Sequence, residues 1–165
     1  MKRLLSAIGL GLVLAAGQAT ADIVFTLDAT FDDGGILTGT FTTNDAITSV
    51  LDYDVTTSGG TLVGFEYTPA TAPVNISSLP TFFGVEDAGP DHILQVTFDP
   101  PLVATGGTVK LGQFDSFEQV PGGVHRQITE GSATTGTTAA PEPGTLALLS
   151  LAAIAFGVAR RRKSA

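Results

Sequence analysis

The sequence has no cysteine and no tryptophan, and basic residues are almost absent from the middle of the chain. Without cysteine the protein has no disulfide bond, no thiol nucleophile and no cysteine-ligated zinc or iron–sulfur centre. Between residues 22 and 140, 15 Asp and Glu stand against only Lys110 and Arg126, a formal charge of −13. A surface this acidic repels nucleic-acid phosphates and anionic lipid. We therefore expect no nucleic-acid partner.

Motifs that carry catalytic chemistry are also missing. The sequence has no Gly-x-Ser-x-Gly nucleophile elbow, no phosphate-binding loop and no dinucleotide fingerprint. His92 and His125 are the only histidines, which excludes a histidine-rich metal site. We expect a protein that is not an enzyme. A secreted hydrolase stays open as the less favoured alternative, because this many acids supply a carboxylate pair by chance.

The first 21 residues have the three parts of an export signal. Two bases precede an apolar run that ends at Ala16, and Ala19-Thr20-Ala21 has the small–x–small pattern of a signal-peptidase site. The run is short for a bilayer of about 30 Å, which disfavours the alternative, an N-terminal membrane anchor. We predict a signal peptide at residues 1–21, handled by the Sec machinery and signal peptidase, and a mature chain that begins at Asp22.

The last 25 residues have a second three-part pattern. Pro141-Glu142-Pro143 is followed by an uncharged, apolar stretch at residues 145–159 and then by a basic tail at residues 160–163. As a helix the stretch spans about 22 Å, and bilayer thinning and arginine snorkelling accommodate the shortfall. Since basic residues stay on the cytoplasmic side, the pattern predicts a single transmembrane helix with a cytoplasmic C-terminus.

This tripartite order resembles the PEP-CTERM sorting signal of Gram-negative bacteria that have exopolysaccharide systems. The resemblance covers residues 141–165 and rests on Pro141, Glu142, Pro143 and the arginines Arg160, Arg161 and Arg162. It implies that exosortase, a membrane protease-transpeptidase, cuts near the Pro-Glu-Pro, and that the product is then released or attached at the cell surface. The alternative is an ordinary tail anchor. A GPI signal would end in its apolar tail, whereas this chain ends in basic residues.

Residues 22–130 alternate apolar and polar side chains with a period of two and show no sustained helical period. About eight such segments, separated by Gly, Asp and Pro, predict an all-β single domain of the β-sandwich or jelly-roll type. Its core is predicted from Phe25, Phe41, Phe65 and Phe98.

Two further features of this region follow from the same pattern. In the segment Ile47–Val55, the alternation places the apolar residues on one side, namely Ile47, Leu51, Tyr53 and Val55, and Asp52 and Asp54 on the other. Residues 131–140 are small, polar and aperiodic, so we predict a flexible linker between the β-domain and the sorting signal at 141–165.

Acidic residues in or near predicted turns are weak candidates for calcium ligands. They are Asp32, Asp33, Asp52, Asp54, Glu86 and Asp87. Ca²⁺ prefers carboxylate oxygens, but no EF-hand or glycine-rich repeat organises these residues. We expect no cofactor, with a structural Ca²⁺ as the alternative. Acidity that suppresses edge-to-edge strand pairing explains the same residues without a metal.

The sequence as a whole predicts an exported protein that passes through an inner-membrane intermediate and reaches the cell surface or the medium. Its expected role is structural or adhesive within exopolysaccharide or biofilm material, which the family resemblance implies. The main alternative is a secreted carbohydrate-binding module, whose exposed aromatic platform would be formed by Tyr53, Tyr67, Phe82 and Phe83.

Overall fold

The computed structural model describes residues 22–113 and 115–136, and every regular element in them is a β-strand. The all-β prediction is confirmed. None of the described residues forms a helix that has the length and hydropathy of a membrane span. The strands are β1 (Ile23–Phe31), β2 (Ile36–Thr43), β3 (Val50–Ser58), β4 (Glu66–Tyr67), β5 (Val74–Asn75), β6 (Phe82–Glu86), β7 (Ile93–Asp99), β8 (Gly107–Leu111), β9 (Phe117–Val120) and β10 (Val124–Gly136).

The strands pair antiparallel in the order β4-β3-β2-β1-β10-β8-β7-β6-β5, and β9 pairs with both β10 and β7. One layer consists of β4, β3, β2, β1, β10 and β8, and the other of β5, β6, β7 and β9. Two strands belong to both layers. β10 pairs first with β9 and then with β1 and β8, while the last two residues of β7 pair with β8. The result is a β-sandwich.

Aromatic side chains join the two layers. Phe41 of β2 stacks on Phe25 of β1 at 5.0 Å between ring centroids, and on Phe83 of β6 in the opposite layer at 4.7 Å. Phe98 of β7 also stacks on the ring of Phe41, at 5.9 Å between centroids. The period-two alternation aims these side chains inward. Phe25, Phe41 and Phe98 are buried as predicted, whereas Phe65 is only half-buried.

Leu51 departs from the predicted alternation, because its side chain is 52% exposed. Thr42 of β2 pairs with Asp52, and the next residue, Thr43, pairs with Val50, so Leu51 has no partner on β2. An extra residue of this kind is a β-bulge, which interrupts the alternation between the two faces. Beyond the bulge the alternation resumes, with Tyr53 and Val55 buried.

β10 extends to Gly136, six residues beyond the predicted end of the domain. Gly131–Gly136 pairs with β1, and Ser132–Thr135 also pairs with β8. The linker prediction is therefore wrong for residues 131–136, while residues 137–140 lie outside the described residues. At position 131 the strand requires glycine, because a Cβ there would collide with the Cβ of Ala29.

Candidate functional site

The residues of both processing signals lie outside the described residues, as does the predicted helix at 145–159. They are Ala19, Ala21, Pro141, Glu142, Pro143, Arg160, Arg161 and Arg162. What the structure describes is the pair of strand ends to which these signals connect. Val24 at the start of β1 pairs with Gly136 at the end of β10. Because paired strands lie about 4.8 Å apart, the two ends of the described domain leave it side by side.

The six calcium candidates are not gathered into one site. Asp32 and Asp33 lie in the β1–β2 turn, and Asp52 and Asp54 lie on the outward face of β3. Glu86 is the last residue of β6, and Asp87 follows it. Asp33 forms an ion pair with Arg126, and Asp87 accepts a hydrogen bond from the backbone N–H of Asp91. Within the described ranges, no three Asp, Glu or His side chains are arranged to hold a metal ion.

The aromatic platform predicted for a carbohydrate-binding module is wrong. Tyr53, Tyr67 and Phe83 are buried, and Phe82 is half-buried. Tyr53 lies at an inward position of β3, where its ring packs edge-on against Phe83 and its hydroxyl donates to the carbonyl of Ala72. Tyr53, Tyr67 and Phe83 belong to the core and are not available to stack on a sugar ring, and Phe82 alone does not form a platform.

The most heavily charged interior feature is a cluster of five side chains that we call the Arg126 cluster: Asp33, Thr57, Tyr67, Glu118 and Arg126. Arg126 of β10 and Glu118 of β9 are paired directly across their hairpin, and their exposed fractions are 1% and 0%. The Nε of Arg126 donates to Oε2 of Glu118 at 2.7 Å, and Nη2 lies 2.6 Å from the same oxygen. The guanidinium also lies 4.3 Å above the ring of Phe31, a favourable cation–π geometry.

The second carboxylate oxygen of Glu118 is bound by two hydroxyl groups. Thr57 donates to Oε1 at 2.7 Å and Tyr67 donates to it at 2.9 Å. Burial raises the pKa of the Tyr67 hydroxyl, and the neighbouring Glu118 carboxylate raises it further. Tyr67 therefore keeps its proton and acts as a donor. Both oxygens of Glu118 are satisfied, as a buried carboxylate requires.

Asp33 closes the cluster on the solvent side. Its Oδ2 lies 3.3 Å from Nη1 of Arg126 and accepts the backbone N–H of Thr61 at 2.8 Å. Burial acts to raise the pKa of Asp33, but the backbone N–H groups of Gly35, Thr61 and Leu62, together with Arg126, outweigh burial and lower it to about 2. The loop after β3 is thereby attached to the β1–β2 turn.

We expect the stability of the fold to depend on pH through Asp33. Its pKa in the folded state is about 2 and its ordinary value is 3.8, so its ionised form stabilises the fold above about pH 4. That contribution, on the order of 2 kcal/mol, is lost as the pH falls towards 2. In urea titrations, Asp33→Asn should lower the free energy of unfolding at neutral pH and flatten its decline below pH 4.

The matched control is Asp54→Asn on the exposed face of β3, which should leave the pH profile unchanged. If Asp33→Asn and the parent protein lose stability in parallel between pH 4 and pH 2, Asp33 does not have this role.

The Arg126 cluster joins elements that are far apart in the sequence. It connects the β9–β10 hairpin to β3, β4 and the β1–β2 turn, and its acids are occupied by Arg126, hydroxyls and backbone donors. Sequence analysis missed it, although a cue was present. Arg126 shares its side of the strand with Ile128 and not with the outward-facing His125 and Gln127.

Two open cavities lie on the surface of the described domain. The smaller, of about 200 Å³, lies over Asp33 and Arg126 and is bordered by the side chains of Leu62 and His125. The larger, of about 570 Å³, lies on the outer face where β8 and β10 part, and we call it the β8–β10 groove. Its polar lining includes Asp28, Lys110 and Glu130.

Residues 139–163 match the model of the PEP-CTERM protein-sorting motif. The resemblance drawn from the sequence is confirmed: the chain carries a PEP-CTERM sorting motif at its C-terminus. The motif marks an exported protein that is sorted at its C-terminus to a surface or membrane-anchored location, and it implies exosortase as the processing partner. No curated protein and no solved structure matches the chain at a significant level.

Proposed function

We propose that this protein is a non-enzymatic β-sandwich that exosortase processing delivers to the cell surface or to the extracellular matrix, where it has a structural or adhesive role in exopolysaccharide. One observation carries the proposal. The sorting motif begins at residue 139, three residues after β10 ends at Gly136. The motif therefore directly follows a domain that has its own core.

The arrangement of the strand ends supports this route of export. A signal-peptidase cut after Ala21 leaves β1 whole, because β1 begins at Ile23. The start of β1 and the end of β10 are adjacent, so the chain enters and leaves the sandwich at the same end. In the proposed intermediate, the helix at 145–159 spans the inner membrane and Arg160, Arg161 and Arg162 lie in the cytoplasm.

A non-enzymatic role is supported by the state of the interior charges. Asp33 and Glu118 are both engaged by Arg126, and both carboxylates accept further hydrogen bonds. Such groups hold strands together and have no free lone pair for acid or base work. A secreted hydrolase requires two carboxyl groups that reach a substrate, and it is the weaker alternative in so far as neither of these two interior carboxylates can serve.

The proposal predicts that processing depends on the Pro-Glu-Pro. Replacing Pro141, Glu142 and Pro143 together by alanine should leave a precursor that retains its tail in the membrane fraction. The reason is that the protease has lost the extended, charged segment that it recognises. The measurement is intact-mass analysis of membrane and medium fractions from cells that express the variant.

The matched control replaces Thr137 and Thr138 by alanine, just ahead of the motif, and should be processed like the parent. Removal of the tail from the triple variant at the parental rate would contradict the proposal.

A further inference from the structure

The β8–β10 groove arises because two paired strands separate. β8 and β10 pair from Gly107↔Thr135 to Lys110↔Ser132, and no further. Just beyond, β10 contains an extra residue at Thr129, where its register with β1 shifts as it passes into the other layer. The far end of the opening is bridged by Gln113, whose side-chain amide donates to the carbonyl of Thr129 at 2.6 Å. The cavity of about 570 Å³ is large enough for a short oligomer.

The described residues contain one lysine and one arginine. Lys110 is exposed to solvent, whereas Arg126 is buried. Despite the acidic surroundings, Lys110 forms no ion pair and no side-chain hydrogen bond with any described residue. The pairing scheme explains why. Ser132 lies directly opposite both Asp28 and Lys110, so the middle strand separates the acid from the base. Across two strand spacings, the Cα atoms of Asp28 and Lys110 are about 10 Å apart.

The neighbouring polar groups are also unengaged. The side chains of Asp28, Glu130 and Ser132 make no hydrogen bond or ion pair with the described residues. One concave surface thus presents two carboxylates, an ammonium and a hydroxyl with free hydrogen-bonding capacity. A ligand that satisfies all four must carry both donors and acceptors at close intervals.

We propose that the β8–β10 groove binds a saccharide through hydrogen bonds to Asp28, Lys110, Glu130 and Ser132. Sugar hydroxyls donate to the two carboxylates and accept from the ammonium, and each of these contacts is a charge-assisted hydrogen bond. An apolar ligand would leave these groups unsatisfied. Two carboxylates beside one lysine repel a polyanion, and the central lysine opposes a cationic peptide.

This inference deepens the proposed role in exopolysaccharide and rests on it. It differs from the aromatic platform predicted from the sequence, because the groove binds by hydrogen bonding and not by stacking. Because Asp28 and Glu130 outnumber Lys110, the groove should bind a neutral saccharide more tightly than one that carries carboxylates. Neutral and uronate-bearing saccharides are therefore separate arms of the test.

The experiment uses the processed protein, labelled with ¹⁵N and purified from its own cells. Three probes are titrated into it: the β-1,4-linked and α-1,4-linked hexasaccharides of glucose, and a hexasaccharide of uronic acid. We expect saturable shifts of backbone amide resonances that are confined to the groove, centred on Gly131 and Ser132. We expect a glucose probe to bind more tightly than the uronate probe, and tighter binding of the uronate probe would contradict the role of the two carboxylates as acceptors.

Two variants and a control assign the site. Glu130→Gln and Lys110→Gln each remove a charge that faces the groove, and each should weaken binding about tenfold, as expected for loss of a charged hydrogen bond. Asp54→Asn, on β3 of the same outer face, should bind like the parent. The dispersion of the amide spectrum verifies that each variant is folded.

The inference is overturned if no probe gives saturable shifts, or if the shifts lie elsewhere and survive both groove substitutions. Intact-mass analysis of the same preparations separates this result from the proposed function. Loss of binding with normal tail removal rejects the saccharide site alone, whereas tail retention rejects the sorting route.

Discussion

A chain that ends at Glu130 should fail to fold, whereas a chain that ends at Ala140 should fold and unfold cooperatively. The shorter chain lacks Gly131–Gly136, which pairs with β1 on one side and with β8 on the other. It also lacks Ala133, which is buried at the centre of that layer. Without the segment, the layer divides between β1 and β8. The net stability of a domain is only about 5–15 kcal/mol, so loss of a central strand should exceed it.

The comparison requires two exported chains that share the signal peptide and lack the sorting motif. Far-ultraviolet circular dichroism should give a strand spectrum and one thermal transition for the longer chain, and neither for the shorter. Equal transitions in both would show that residues 131–136 are a spacer after all. If the result is as expected, exosortase must cut after Gly136, because an earlier cut would release an unfolded product.

Arg126→Met should destabilise the fold by about 3–5 kcal/mol, because it leaves the Glu118 carboxylate buried without its countercharge. Methionine fills a similar volume, so the loss reflects charge and not a cavity. Adding Glu118→Gln should restore most of the stability, since a neutral amide oxygen still accepts from Thr57 and Tyr67. The free energies of unfolding from urea titrations of the two single variants and the double variant form a double-mutant cycle.

Lys110→Met is the matched control, since it removes the other base of the domain at an exposed position. It should change the free energy of unfolding by less than about 0.5 kcal/mol. Comparable losses for Lys110→Met and Arg126→Met would mean that general charge balance, and not the Arg126 cluster, determines the effect. Failure of Glu118→Gln to restore stability would mean that Arg126 acts by packing on Phe31.

The elements that the sequence predicted well are those governed by local alternation. β1 and β2 follow from the period-two pattern, and Phe25 and Phe41 are buried because that pattern aims them inward. The sorting motif was recognisable for a different reason: its three parts are contiguous in the chain, and each has a chemistry that does not depend on the fold.

The errors come from information that is not local. Leu51 is exposed because a bulge arises in the pairing of two strands, which the sequence of one strand does not encode. Residues 131–136 resemble a linker in composition, but they pair with the distant strand β1, and the close approach of Ala29 explains the glycine at position 131. Arg126 is buried because its partners come from distant parts of the chain, at Asp33 and Glu118.

The measurement that tests the central claim most directly is the intact mass of the protein from its own cells, with membrane and medium fractions analysed separately. The account predicts a chain that begins at Asp22 and ends after Gly136, near Pro141–Pro143, at the cell surface or in the medium. A mass that retains Arg160–Ala165 in the membrane fraction, with no shorter product in any fraction, would contradict it. The tail would then be a permanent anchor, and the β-sandwich would act while tethered at the membrane.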